Sequence, residues 1–149
     1  MRAVIQRVSK AAVTIDKAET RNIERGFVIL LGVGHEDTTE QADKLWQKIL
    51  NLRIFPDDEG KTNLNLSAVN GSVMIISQFT LFANCRRGNR PSFIESAAPE
   101  QANELYEYFT RLAQKSVPIV KTGEFGAHMD VDLINDGPFT IILDTEDLK

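Results

Sequence analysis

The stretch Val73-Met74-Ile75-Ile76-Ser77-Gln78-Phe79-Thr80-Leu81 governs the reading of this chain. Its four apolar residues follow an Asn70-Gly71 turn and predict a strand buried in the core. Core strands rarely continue into Ser, Gln and Thr, because a buried hydroxyl or amide without a partner costs about 1–3 kcal/mol. The polar end of this strand, expected to run to Leu81, therefore either hydrogen-bonds structurally or lines a pocket. Downstream, Asn135-Asp136-Gly137-Pro138-Phe139-Thr140 breaks the pattern again, between the alternating run 129–134 and the apolar run Ile141-Ile142-Leu143. Asn, Asp, Gly and Pro in this order suit a turn joining two paired strands.

Working outward, residues 2–8 alternate, with Ala3, Ile5 and Arg7 on one face and Val4, Gln6 and Val8 on the other, which marks a strand. Arg7 shares its face with apolar neighbours, so its guanidinium needs acceptors. Residues 12–15 and 23–32 read as a second and third strand, and the continuous apolar run 27–31 suits a strand covered on both faces. From Thr38 the period becomes helical. Thr38 and Gln41 form a capping-box pattern, and Ala42, Leu45, Trp46, Ile49 and Leu52 supply one apolar face. At this spacing Trp46 is a core residue rather than a platform for a base. Pro99 opens a second helix whose stripe is Ala102, Leu105, Tyr106, Phe109, Leu112 and Ala113. A short strand over 117–121 and a loop over 122–127 complete the chain before the two final strands. The expectation is one α+β domain over residues 1–149.

Composition narrows the class. Hydrophobic residues make up 42% and charged residues 26% of the 149, which is ordinary for a globular protein. No apolar run approaches the ~18 residues of a membrane-spanning helix. The sequence opens on a strand pattern without a signal peptide, and its single cysteine, Cys85, suits a reducing compartment, so a cytoplasmic location is expected. The net charge of −4 argues against a broad grip on nucleic acid. A small basic patch remains open to it. Arg86, Arg87 and Arg90 cluster in the polar loop 84–92, either as a solvated loop or as contacts to phosphate and ribose.

Conventional catalytic signatures are missing. The two histidines, His35 and His128, stand in no recognisable triad, and no His/Cys/Asp/Glu spacing suggests zinc. There is no P-loop or dinucleotide glycine fingerprint, and Cys85 has no obvious base beside it. The acidic turn 57–59 reads as solvated rather than metal-binding.

Ser77-Gln78-Phe79-Thr80-Leu81 followed by Asn135-Asp136-Gly137-Pro138-Phe139-Thr140 resembles the D-aminoacyl-tRNA deacylase family. The resemblance extends over nearly the whole chain and includes Leu31-Gly32-Val33, Arg53-Ile54-Phe55, Asn63-Leu64-Asn65, the block 88–93 and Phe125-Gly126-Ala127. It implies a mostly antiparallel, barrel-like β core with two outer helices, assembled as a homodimer with active sites at the interface. It also implies hydrolysis of the ester of D-aminoacyl-tRNA, with glycyl-tRNA as a second substrate, and no metal or organic cofactor.

By the same resemblance, Ser77, Gln78, Phe79 and Thr80 form the catalytic floor, and Phe125, Gly126 and Ala127 accommodate the terminal adenosine. Gly137-Pro138 is implied to be cis and to enter the partner's pocket as a chiral filter. Arg7 and Asn135 support that turn, and Arg86, Arg87 and Arg90 are candidate tRNA contacts. Thr80 lacks the base a nucleophilic threonine needs, so it reads as a positioning group. Two places depart from the family: residues 16–21 stand where a glycine-bearing hairpin is usual, and Phe139 where a smaller residue is more common. A non-catalytic dimer binding the tRNA acceptor end is the alternative, and a purely structural dimer is a third reading.

Overall fold

A computed structural model describes residues 1–149. In chain order the elements are β1 (Arg2–Ile15), β2 (Glu19–Ile23), β3 (Gly26–Gly32), α1 (Thr39–Asn51), β4 (Phe55–Pro56), β5 (Thr62–Leu64), β6 (Ser72–Ser77), α2 (Pro99–Ser116), β7 (Val120–Thr122) and β8 (Met129–Asp144). Short 3₁₀ turns follow β5, β6 and β8. No helix is long and apolar enough to cross a membrane.

β1 is the spine. One of its edges pairs antiparallel with β3 over residues 2–8 and with β2 over residues 11–15, and β8 runs antiparallel to it along almost its whole length. Residues 2–8 and 12–15, expected as separate strands, are thus one strand. Register shifts between Gln6 and Val8 and between Val8 and Lys10 bend it without ending it.

β6 lies parallel to β3, and β7 parallel to β6, so the sheet is mixed. Gly26 allows the β3–β6 pair to start: its φ is +157°, and a Cβ there would lie 1.8 Å from the Ser72 carbonyl oxygen. The far end of the β1–β2 hairpin curls back until Arg21 of β2 donates to the Thr122 carbonyl of β7 at 2.8 Å, which brings the sheet nearly into a barrel.

Alternation divides the core in two. Ala3, Ile5, Phe27, Ile29, Leu31, Val73 and Ile75 point to the outer face and pack against α1 and α2. Val8, Val13, Ile15, Val28, Met74 and Ile76 fill the barrel interior. Neither β3 nor β6 can tolerate a polar face, which is why both read as unbroken apolar runs. Trp46 is buried against Phe109 in an edge-to-face contact at 5.6 Å, as its helical spacing predicts. The capping box of Thr38 and Gln41 is formed.

Candidate active site

β6 ends where its sequence turns polar. The Gln78 N–H makes a 2.8 Å bond to the Leu31 carbonyl, and the chain then tightens into a 3₁₀ turn over Phe79–Phe82. The strand expected to reach Leu81 therefore stops at Ser77. The first bond inside the turn runs from the Leu81 N–H to the Gln78 carbonyl, so the N–H groups of Phe79 and Thr80 have no acceptor within the turn. The Gln78 side-chain amide donates to the Thr80 hydroxyl, fixing both side chains at the exposed end.

Ser77, Gln78 and Phe79 line a cavity of about 930 Å³, and Phe125, Gly126 and Ala127 form its opposing wall. Two segments far apart in sequence thus meet as walls of one space. The first turn of α2 closes one end through Ala98, Pro99 and Ala102. Phe79 and Phe93 meet edge-to-face at 5.0 Å at this cavity, and both remain solvent-exposed. Thr80 is exposed and does not line it.

His35, His128, Ile94 and Met129 also line the cavity, a role that the sequence did not assign to them. His128 and Met129 follow directly on Phe125-Gly126-Ala127, and that adjacency was the available signal. His35 had none, since its place depends on tertiary contacts. Gln101 of α2 donates to the His35 carbonyl at 2.9 Å, and the His35 ring bonds to the Ile94 carbonyl.

Arg86, Arg87 and Arg90 do not reach this cavity. They converge on a smaller hollow of about 390 Å³ with Asn84 and Ser92, and Ile94 borders both spaces. The basic loop therefore flanks the cavity rather than lining it.

The segment 135–140 takes a shape the sequence did not suggest. Its flanking runs do not pair with each other; both pair with β1, as one strand. Between Thr140 opposite Gln6 and Asn135 opposite Val8, the intervening residues bulge outward. Arg7, at 9% relative exposure, holds this bulge from below. Its Nε donates to the Asp136 carbonyl at 2.9 Å and its Nη1 to the Ile54 carbonyl at 2.6 Å, while the guanidinium stacks over Phe139 at 4.6 Å.

Asn135 completes the support: its Oδ1 accepts from the Phe139 N–H, and its Nδ2 donates to the Thr140 hydroxyl at 3.0 Å. The Gly137-Pro138 peptide is cis, and both residues are exposed. Gly137 has φ +145°, and a Cβ there would lie 3.0 Å from the Phe139 nitrogen and 3.1 Å from Arg7 Nη2. Neither Gly137 nor Pro138 lines the cavity of its own chain.

Tyr106 anchors the opposite side. Its hydroxyl donates to the Ile75 carbonyl at 2.9 Å, and burial pushes its pKa up to about 12 from the ordinary 10.0. No group of three or more His, Cys, Asp or Glu side chains is placed to hold a metal ion.

Similarity to known proteins agrees with this architecture. A family model described as D-Tyr-tRNA(Tyr) deacylase matches residues 4–144. A D-aminoacyl-tRNA deacylase of Thermosipho melanesiensis is 52% identical over 147 residues, covering 98% of each chain. One from Clostridium acetobutylicum is 50% identical over 146 residues, again covering 98% of each. Among solved structures, a c-Myc DNA unwinding element binding protein superposes with a TM-score of 0.90 at 39% identity, covering 97% of this chain and 98% of that one. A probable eukaryotic D-amino acid tRNA deacylase, at 16% identity and a TM-score of 0.78, shares the fold over 95% of this chain and 97% of its own. With a family model spanning nearly all of the sequence and end-to-end relatives about half identical, the chain belongs to the D-Tyr-tRNA(Tyr) deacylase family.

Proposed function

We propose that this chain hydrolyses the ester of D-aminoacyl-tRNA to free D-amino acid and tRNA, a chirality check on translation in the cytoplasm. The observation that carries the reading is the meeting of Ser77-Gln78-Phe79 and Phe125-Gly126-Ala127 on one cavity, in a chain of this family. Glycyl-tRNA, which has no side chain to exclude, is a second substrate.

An aminoacyl ester is already reactive, so positioned water and donors aimed at the developing oxyanion supply much of what hydrolysis requires. Water attacks the carbonyl carbon, the bond to the ribose oxygen breaks, and that oxygen leaves with a proton. The unpaired N–H groups of Phe79 and Thr80 are the donors in this scheme, and the vicinal ribose hydroxyl of the substrate helps to activate the water. Thr80 positions rather than attacks: its hydroxyl is engaged by Gln78, and no base adjoins it.

Chiral selection falls to Gly137-Pro138 of a second subunit in a homodimer. Support comes from their exposure and from their absence from the lining of their own chain's cavity. Rigid backbone carbonyls there accept hydrogen bonds from the substrate ammonium and obstruct the side-chain direction of an L-residue. Such a filter ignores side-chain identity, as one serving many D-amino acids must.

Incubation with D- and L-aminoacyl-tRNA tests the reading. Catalytic release of the D-amino acid alone is expected. Stoichiometric binding without release would favour the acceptor-end-binding dimer, and absence of both a structural dimer. Replacing Arg86, Arg87 and Arg90 together with Ala should lower the salt slope of tRNA binding, by about 0.7 for each single-strand phosphate left without its arginine. An unchanged slope returns the loop to a solvated surface.

A further inference from the structure

A second hollow adjoins the cavity and has no part in the chemistry above. It holds about 470 Å³ and lies between α2 and the loop after β7, lined by Asn103, Glu107, Thr110 and Arg111 on the helix and by Glu124 and Phe125 on the loop. Phe125 belongs to both spaces, and its ring, 6.3 Å from that of Tyr106, divides them. The same helix borders both. Ala102 faces the cavity and Glu107 the hollow, about 7.5 Å further along the axis. The two spaces are consecutive stations along one helix, separated by one aromatic ring.

We propose that this hollow receives the penultimate base of the tRNA acceptor end and selects cytosine there. The inference rests on the proposed function, in which the terminal adenosine lies against Phe125-Gly126-Ala127. A single strand leaving that wall past Phe125 brings its preceding nucleotide to the hollow. Two carboxylates against one guanidinium make the hollow unsuited to a phosphate, which the arginine hollow on the other flank takes instead.

The lining suits the edge of a base. Glu107 is exposed and accepts from the cytosine N4 amino group, the contact that uracil, with an oxygen at that position, replaces by repulsion. The half-buried Asn103 amide donates to cytosine N3, whereas the Thr110 hydroxyl already donates to the Tyr106 carbonyl at 3.0 Å and offers the base only an acceptor. In the free protein, Asn103 Nδ2 and Glu107 Oε1 stand 3.5 Å apart, a long contact that an entering base readily replaces.

The test compares D-aminoacyl-tRNA carrying C or U at the penultimate position, together with 3′-aminoacyl-adenosine, which lacks that nucleotide. The intact protein is expected to prefer C over U by about tenfold or more in kcat/KM. Glu107→Gln should bring that ratio close to one, because a carboxamide accepts from cytosine and donates to uracil alike. Its loss on tRNA should exceed its loss on aminoacyl-adenosine at least several-fold, whereas a mere folding defect would lower both equally. Equal rates on C and U by the intact protein overturn the proposal, as do equal losses on the two kinds of substrate. Binding of unacylated oligonucleotides ending in CA or UA, measured by calorimetry, decides the base preference independently of turnover. A tenfold preference for CA supports the hollow, and equal affinities overturn it. Failure to hydrolyse any aminoacyl substrate would overturn the deacylase reading while leaving this binding comparison to judge the hollow.

Discussion

Two polar interruptions of apolar strands, one after Ile76 and one after Ile134, have opposite structural fates. The first ends its strand: at the edge of a parallel pair the chain turns away and leaves a concave wall with unpaired N–H groups. The second leaves its strand unbroken: antiparallel pairing to β1 resumes on the far side, and the surplus residues are pushed outward as a convex ridge. The neighbours decide between these outcomes. β8 has β1 to hold both halves in register, whereas β6 has no partner left beyond Leu31. Each interruption also has a buried anchor, the charged Arg7 under the ridge and the neutral Tyr106 behind the wall.

The strongest way to break this pairing of features is Arg7→Ala. It leaves the Ile54 and Asp136 carbonyls without their donor and removes the support under Phe139. A loss of about 3 kcal/mol in urea unfolding is expected, with D-over-L discrimination falling in step. Full stability in the variant would show that the ridge holds itself.

The two anchors should separate at alkaline pH. Tyr106 keeps its proton in the fold until about pH 12, while the unfolded chain releases it near 10.0. Below pH 10 this group adds no pH dependence. Between those values the unfolded state binds fewer protons, so stability falls as pH rises, by on the order of 2 kcal/mol. Tyr106→Phe should flatten that decline in unfolding curves at about pH 9 and pH 11, at the cost of about 1 kcal/mol near neutrality from the lost bond to Ile75. A decline identical to that of the parent would assign the effect to other groups.

A smaller change probes the ridge itself. Gly137→Ala forces a Cβ toward Arg7 and Phe139 at a φ that L-residues seldom adopt. Discrimination between D- and L-aminoacyl-tRNA should drop about tenfold while hydrolysis of glycyl-tRNA changes less. Unaltered discrimination would detach the ridge from chiral selection.

The least effect is expected at the wall. Thr80→Ala should keep kcat within about tenfold, because the backbone N–H survives the substitution. Complete loss of turnover in a folded, substrate-binding variant, or a trapped acyl-Thr80, would make the hydroxyl a nucleophile.

Local chemistry made the helices legible: Thr38 with Gln41 announced α1, Pro99 began α2, and Trp46 fell on the apolar stripe. The buried strands β3 and β6 were equally clear, because covering both faces leaves only apolar residues. Strand continuity was harder to read. Lys10 and its neighbours have the local character of a strand end, yet pairing on both edges carries β1 through two register shifts. Asn-Asp-Gly-Pro carries the local chemistry of a turn, and only the presence of β1 beside it turns that segment into a bulge. Two of the segments that line the cavity, 77–79 and 125–127, were legible through family resemblance. His35 was not, since a bond from Gln101 places it and no periodicity encodes such a contact.

The closure by Arg21 gives the molecule a seam. Elsewhere neighbouring strands share ladders of backbone bonds, but between β2 and β7 one guanidinium reaches the Thr122 and Gly123 carbonyls, with Glu19 steadying it from outside. A ladder opens only when several peptide groups part together; a side-chain latch opens by rotamer changes in a single residue. Breathing of the barrel therefore starts at this seam, and amide protons on either side of it trade with solvent well before those of the β1–β3 ladder.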